Sequence, residues 1–371
     1  MKGTVAKRPS DERFYVASQW QLFRWKLARH RVAMVSMVVL GIFYLAALCA
    51  EFVAPYDPNE FDKDLVLAPI LRPRFVDDSG KLHLRPFVYR LEKSVNEHWQ
   101  IIYLEDRSVR YPIRLFVHGD PYKLWGLIPG DLHLFGTDEG VFSPLGRDRG
   151  GRDLFSRIVF SSRVSLTIGL LGVALSLLIG IILGGISGYY GGRLDLLIQR
   201  LIEALQSIPT IPLWMGLRAA LPYHWSITAT YFAIVVILSL VGWTGMARVV
   251  RGKFLALRSE DFVVAARIAG ARDGAVIFRH LLPSFISHII ASVTLAVPGM
   301  ILAETALSFI GLGMQAPAMS WGVLLQEAQS IETLAKAPWI LTPAIFVVVS
   351  ILGFNFLGDG LRDAADPYGN L

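Results

Sequence analysis

The sequence predicts an all-α polytopic membrane protein, with six transmembrane helices and a small mixed, β-containing insert between the first and second. Three observations carry the prediction. Hydrophobic residues make up 53% of the 371 residues, whereas Asp, Glu, Lys and Arg make up only 18%, well under the roughly 25% charged content of ordinary soluble chains. Five runs free of those charges, 32–50, 164–192, 219–247, 281–303 and 337–358, approach or exceed the ~20 residues a bilayer-crossing helix needs. Between the first two lies a long polar and aromatic stretch unlike either.

The elements follow in order. Residues 1–31 hold eight basic and two acidic residues, with Trp20, Phe23, Trp25 and Leu27 set among Arg24, Lys26, Arg29 and Arg31. That mixture suits a cytoplasmic tail with a helix lying on lipid headgroups; a tail without structure is the plain alternative. The first span is 32–54. Its length argues for a retained anchor over a cleaved signal, whose apolar region runs to ~7–15 residues. The single cysteine, Cys49, lies within it and allows no intrachain disulfide.

The insert, 55–143, opens on the helix-breaking Pro55-Tyr56-Asp57-Pro58. Phe87 to Tyr89, Trp99 to Leu104 and Tyr111 to Val117 alternate as short strands do. Trp99, Tyr103, Tyr111 and Trp125 suit either the insert's own core or stacking on sugar rings. No arrangement of His, Asp or Ser within it points to catalysis. The remaining chain, 144–371, carries spans two to six. A Gly-rich, charged turn, Leu145-Gly146-Arg147-Asp148-Arg149-Gly150-Gly151-Arg152-Asp153, leads into the second span and reads as a device that orients its entry. The third span, 198–217, is interrupted by Arg200, Glu203, Pro209 and Pro212.

Charge next to the spans sets their orientation. The loop 248–283 carries seven basic and three acidic residues, whereas 221–226 has no Asp, Glu, Lys or Arg and 313–337 sets Lys336 against Glu327 and Glu332. The loop and both termini are therefore expected in the cytoplasm. The insert is expected outside; with fifteen basic and sixteen acidic residues over 55–160, it is of the long kind that escapes the charge rule. The net charge of +6 is then a topology signal and calls for no nucleic-acid partner.

Ionisable and helix-bending residues inside spans are candidates for a pathway or gate: Glu203 and Pro209 in the third span, Pro298 and Glu304 in the fifth, Asn355 in the sixth, with His288 as a further titratable group. Packing, pathway contact and proton coupling are all open for the two glutamates. No Gly-Lys-Ser or Gly-Lys-Thr phosphate loop is present, so the chain is not expected to hydrolyse ATP itself or to need a cofactor or metal.

The most informative stretch is Asp261 to Pro283. Ala265-Ala266, then Gly270, then Leu282-Pro283 fall in register with the loop of ATP-binding-cassette importer permeases that reads Glu-Ala-Ala, three residues, Gly, nine residues, Ile, one residue, Leu-Pro; Val264 stands for the Glu and His280 for the Ile. Further marks occur in the family's order: Gly146-Arg147-Asp148, Phe155-Ser156-Arg157 and Arg163-Val164-Ser165-Leu166; Gly188-Tyr189-Tyr190-Gly191-Gly192-Arg193-Leu194-Asp195; Ile208-Pro209-Thr210-Ile211-Pro212; Ala303-Glu304-Thr305 through Gly313; and Gly358-Asp359-Gly360 through Pro367. The chain resembles a permease subunit of the dipeptide, oligopeptide and nickel permease family of binding-protein-dependent importers, with a MetI-like core. The resemblance implies a multi-pass cell inner membrane protein paired with a second, homologous permease. It also implies two ATPase subunits and an extracytoplasmic solute-binding protein that delivers di- or oligopeptides; oligosaccharides, nickel and peptide-like antibiotics are alternatives. It implies that Ala265, Ala266, Arg267, Gly270, Asp273 and Pro283 meet the ATPases, which drive alternating access. A proton-coupled carrier remains the rival, and co-purification of ATPases separates the two.

Overall fold

The computed structural model describes residues 19–365, apart from 98, 100 and 223. Residues 1–18 of the basic tail and the Asp366-Pro367 end of the last motif lie outside the described residues. Helix α1 (Gln19–Arg29) leads through His30 into α2 (Arg31–Leu48). After the insert come α3 (Leu154–Tyr190), α4 (Gly192–Ser207), α5 (Thr210–Ala219), α6 (Ile227–Leu257), α7 (Asp261–Ile268), α8 (Ile286–Phe309), α9 (Trp321–Gln326) and α10 (Thr342–Ala365).

Five helices among the described residues are long and apolar enough to cross a membrane: α2, α3, α6, α8 and the stretch Pro338–Ala365 that ends in α10. The sixth, expected over 198–217, is not one helix. Ile208 is extended at ψ 127° and Pro209 takes φ −56°, ψ 127°, because a residue before proline is pushed out of the helical region. The chain therefore breaks into α4 and α5, each too short to cross alone. Pro212 falls in the first turn of α5, where the missing N–H would have had no helical partner. Pro298 stands in the interior of α8.

The core is assembled by small residues. Along α3, Gly180, Gly184 and Gly188 form a ridge at every fourth position facing α6: a Cβ at Gly180 would meet Met246, at Gly184 the backbone of Ala247, and at Gly188 the backbone of Arg251. Without side chains the two helices approach backbone to backbone, as helices in lipid do when packing alone must hold them. Gly169 and Gly172 serve the same end against Val297, Met300 and Ile301 of α8. Short helix α9 is driven into this core; Trp321 is fully buried, its Nε1 donating to Ile158 O at 3.2 Å.

Between α2 and α3 the chain forms a four-stranded antiparallel meander in the order β1 (Arg74–Val76), β2 (Leu82–Val95), β3 (Ile101–Leu124) and β4 (Ile128–Thr137). The two segments read from sequence as separate strands, 99–104 and 111–117, fall, from Ile101 on, in one long β3. Its first half pairs with β2 and its second half with β4. The polar residues that separate them are absorbed in a bulge, where register jumps from Tyr89↔Arg110 to Arg90↔Asp106. There the Asp106 carboxylate accepts from Ser108 N and Oγ at 2.9 and 2.6 Å, a local turn built without ending the strand.

Candidate functional site

The loop 248–283 begins on the last turns of α6 and ends at α8. Helix α7 stops at Gly270, whose φ of +81° only glycine adopts without strain. The Ala271 N–H bonds back to Ala266 O at 3.0 Å and the Gly270 N–H to Arg267 O at 2.9 Å, closing the helix end as a left-handed cap does. The chain then re-enters helix at Asp273 and winds through a π-helical stretch, Val276–Leu281.

One face of this loop is built into the protein. Val263, Val276 and Leu281 are fully buried against Val250 and Phe254 of α6, Tyr189 of α3, and Phe285 and Ile289 at the start of α8. Burial of each aliphatic side chain contributes roughly 1.5–3 kcal/mol, so this face ties the loop to the helices it touches. The opposite face is open and apolar. Ile268 is 83% and Phe278 67% exposed, with Phe262 and Val264 beside them. Ala265, Gly270 and Pro283 also face outward, Ala266 is half-buried, and a side chain at Gly270 would meet nothing within this chain.

Polar contacts lock the loop to α3. The Tyr189 hydroxyl donates to Asp273 Oδ1 at 2.6 Å, and the Arg267 guanidinium lies 4.9 Å over the Tyr189 ring. Next to it, Asp195 of α4 takes a bidentate pair from Arg251 of α6, at 2.6 Å from Nε and 2.7 Å from Nη2, and a third bond from Ser187 Oγ at 2.5 Å. The Arg251 guanidinium holds the Asp195 carboxyl below the usual carboxylate range. Gly191 and Gly192, at φ +66° and +59°, make the turn that brings Asp195 back onto α3. Tyr189, Asp195 and Arg251 are thus the supports of the loop. The sequence displays the motif holding the first two but nothing that links Tyr189 to Asp273, 84 positions on.

The candidate pathway residues are not brought together into one site. Glu203 is half exposed on α4 and pairs with Arg200 at 2.8 Å, one helical turn away. That pair lies on the surface of this chain, on α4, which the break at Pro209 leaves too short to cross a membrane alone. Pro209 itself is the N-cap of α5 and stands in the break between α4 and α5. Glu304 is wholly buried where α3 and α8 meet, accepting from Ser308 Oγ at 2.8 Å and Ser165 Oγ at 3.3 Å. Ser165 Oγ in turn accepts from Trp321 N, and Ser308 Oγ from Met314 N, so Glu304 sits in a network that anchors the entry to α9. Pro298 is buried, and Asn355 half-buried on α10.

The charged turn before α3 is equally dense. Asp148 accepts from Arg152 Nε at 2.8 Å, from Gly150 N at 2.7 Å and from the Arg157 guanidinium. Arg152 and Arg157 both reach Glu327 after α9, at 3.2 and 3.1 Å. Asp153 caps α3, accepting from Ser156 N and Oγ at 2.8 Å each. Its Oδ1 has no partner, and burial pushes its carboxyl up to about 6.

Comparison with known proteins follows these boundaries. Residues 18–70 match the N-terminal TM domain of oligopeptide transport permease C, and the sheet lies between that match and the next. The oligopeptide transport system permease protein OppC of Bacillus subtilis is 37% identical over 240 residues, 64% of this chain and 73% of its own length. The dipeptide transport system permease protein DppC of the same organism is 39% identical over 243 residues, 65% and 70% of the two chains. A solved inward-facing MetNI methionine ABC transporter aligns with 57% of this chain and 97% of its own, at 18% identity and a TM-score of 0.46. Residues 152–368, which hold α3 to α10 and the loop with its supports, match the model for the binding-protein-dependent transport system inner membrane component, and the chain belongs to that family.

Proposed function

We propose that this chain is one of two permease subunits in an ATP-driven importer of di- or oligopeptides. Partner ATPases seat on the loop 248–283, and an extracytoplasmic solute-binding protein delivers the substrate. The chain itself is a membrane transport component and performs no chemistry. One observation carries the docking reading. The loop is two-faced, with Val263, Val276 and Leu281 sealed into the helical core and Ile268, Phe278 and Val264 presented outward around Gly270. A short helix with an apolar outer face suits a groove on another protein, and its sealed inner face passes a push to α3, α6 and α8 together. In this reading the loop and both termini are cytoplasmic and the sheet is external. Closure of the ATPases rocks the helices, and the pathway forms between this chain and its homologous partner. Arg267 and Asp273 hold the loop in shape through Tyr189, while Ala265, Ala266, Gly270 and Pro283 shape the docking surface. Glu304, Pro298 and Asn355 brace the helices that line or gate the pathway.

The peptide assignment draws on the similarity to an oligopeptide and a dipeptide transport permease protein. Uptake of labelled oligopeptides and oligosaccharides is compared in cells with and without this subunit, the partner genes intact. Loss of peptide uptake alone is the expected result. Loss of oligosaccharide uptake with peptide uptake unchanged would reject the substrate class and leave the mechanism in place.

A further inference from the structure

We infer that the tip of the β3–β4 hairpin is seated in the membrane interface, with Trp125, Leu127 and Ile128 in contact with lipid. The hairpin does not float free above the helices. Trp125 Nε1 donates to the carbonyl of Leu48, the last residue of α2, at 2.9 Å, and Trp125 N donates to Glu51 Oε1 at 3.3 Å. Arg163 of α3 closes the joint from the other side. Its guanidinium lies 4.6 Å over the Trp125 ring, donates to Ala47 O at 2.6 Å and Leu48 O at 3.1 Å, and pairs with Glu51. Phe52 and Phe116 stack alongside, ring centroids 6.3 Å apart. The tip is therefore fixed at the level where α2 ends, and Arg163 directly precedes the uncharged run of α3.

Membrane depth at this point can be read from α2. Val35, Val38, Ile42, Leu45 and Leu48 form an open apolar stripe along its whole length, the surface a spanning helix gives to acyl chains. The hairpin tip, bonded to the end of that helix through Trp125, is also open and apolar: Leu127 is 82% and Ile128 63% exposed. Tryptophan at such a boundary, its ring toward the apolar layer and its N–H bonded, is the arrangement of interfacial aromatic belts. Exposure alone does not single out this tip, since Leu84 on β2 is 99% exposed; the bonds to the last turn of α2 do. The inference rests on the chain crossing the membrane and is independent of the substrate and of the docking loop.

The test uses the assembled complex in lipid nanodiscs. Cys49, the single cysteine, is replaced by Ser, and a spin label is placed at Leu127→Cys or, as reference, at Leu84→Cys. A monodisperse gel-filtration peak and an unchanged melting temperature show that each variant is folded, and Ile128→Cys replaces Leu127→Cys if it is not. Collision rates with oxygen, which partitions into lipid, and with a water-soluble nickel chelate are then measured. A severalfold higher oxygen-to-nickel ratio at the tip than at Leu84→Cys, without added solute-binding protein, is expected. Equal ratios would overturn the inference. So would a tip label open to the nickel chelate until the solute-binding protein is added and shielded from it thereafter, because the occupant would then be that protein.

Discussion

Tyr189 and the Arg251–Asp195 pair hold the loop against the helices, and each is open to a direct test. Arg251→Ala leaves the Asp195 carboxylate with Ser187 but without its paired cation, in a site where Asp195 is 19% exposed. Loss of one partner of a partly buried pair is expected to cost about 1–3 kcal/mol. Removing Asp195 as well should recover part of that loss. Thermal unfolding in detergent of the two single variants and the double variant measures the coupling; strictly additive effects would contradict the pairing. Asp153 yields a pH prediction of the opposite sign to most aspartates. Its native value of about 6 lies above the roughly 3.9 of an unfolded Asp, so between those values the folded state binds the extra proton. Stability from this group is then full below about pH 4 and falls as pH rises towards 6 and beyond. Asp153→Asn, which keeps a capping side chain, should flatten that part of the stability profile; a profile unchanged by the substitution would reject the assignment.

The spacing of glycines on α3 is decisive for how helices meet. Gly184 lies against the backbone of Ala247, which cannot rotate away as a side chain could. Gly184→Leu should therefore force α3 from α6 and cost at least the 1–3 kcal/mol typical of overpacking; Gly192→Leu, where nothing lies within 4 Å, pays only for its positive φ. Gel-filtration yield and melting of the two variants separate close packing from backbone strain. Much at this level was legible beforehand. Runs free of charge identify the long helices, because lipid tolerates little else. The break at Pro209 was visible as a pair of prolines, yet its consequence was not. Whether such a segment bends or splits depends on what packs beside it, and only Ile198 and Ile202 of α4 find a buried seat, against Trp243 and Ala247. Strand β3 was misjudged for a related reason: Glu105 to Ser108 have turn chemistry, and a bulge uses the same residues.

The loop shows the same division between local and long-range information. Its register identified Ala265, Ala266, Gly270 and Pro283, because the need for small residues and a positive φ is written locally. That Arg267 and Asp273 both turn back on Tyr189 could not be seen, since the contact joins segments far apart in the chain. Glu203 and Glu304 stood as equals in the sequence. The fold separates them, one paired on a surface and the other sealed among serines. In the proposed function the loop, its sealed inner face and the glycine-packed helices act as one lever, which partner ATPases push at Gly270. Because Gly270 has φ +81° and open space around it, a substitution there strains the loop by about 1–2 kcal/mol and otherwise acts on whatever binds outside. Gly270→Asn, which tolerates that backbone conformation, should keep most activity.

Gly270→Glu in the complex reconstituted in lipid vesicles is the measurement that bears most directly on this account. Peptide uptake and stimulated ATP hydrolysis should both be lost, with the amount of inserted permease unchanged; full uptake by that variant would contradict it.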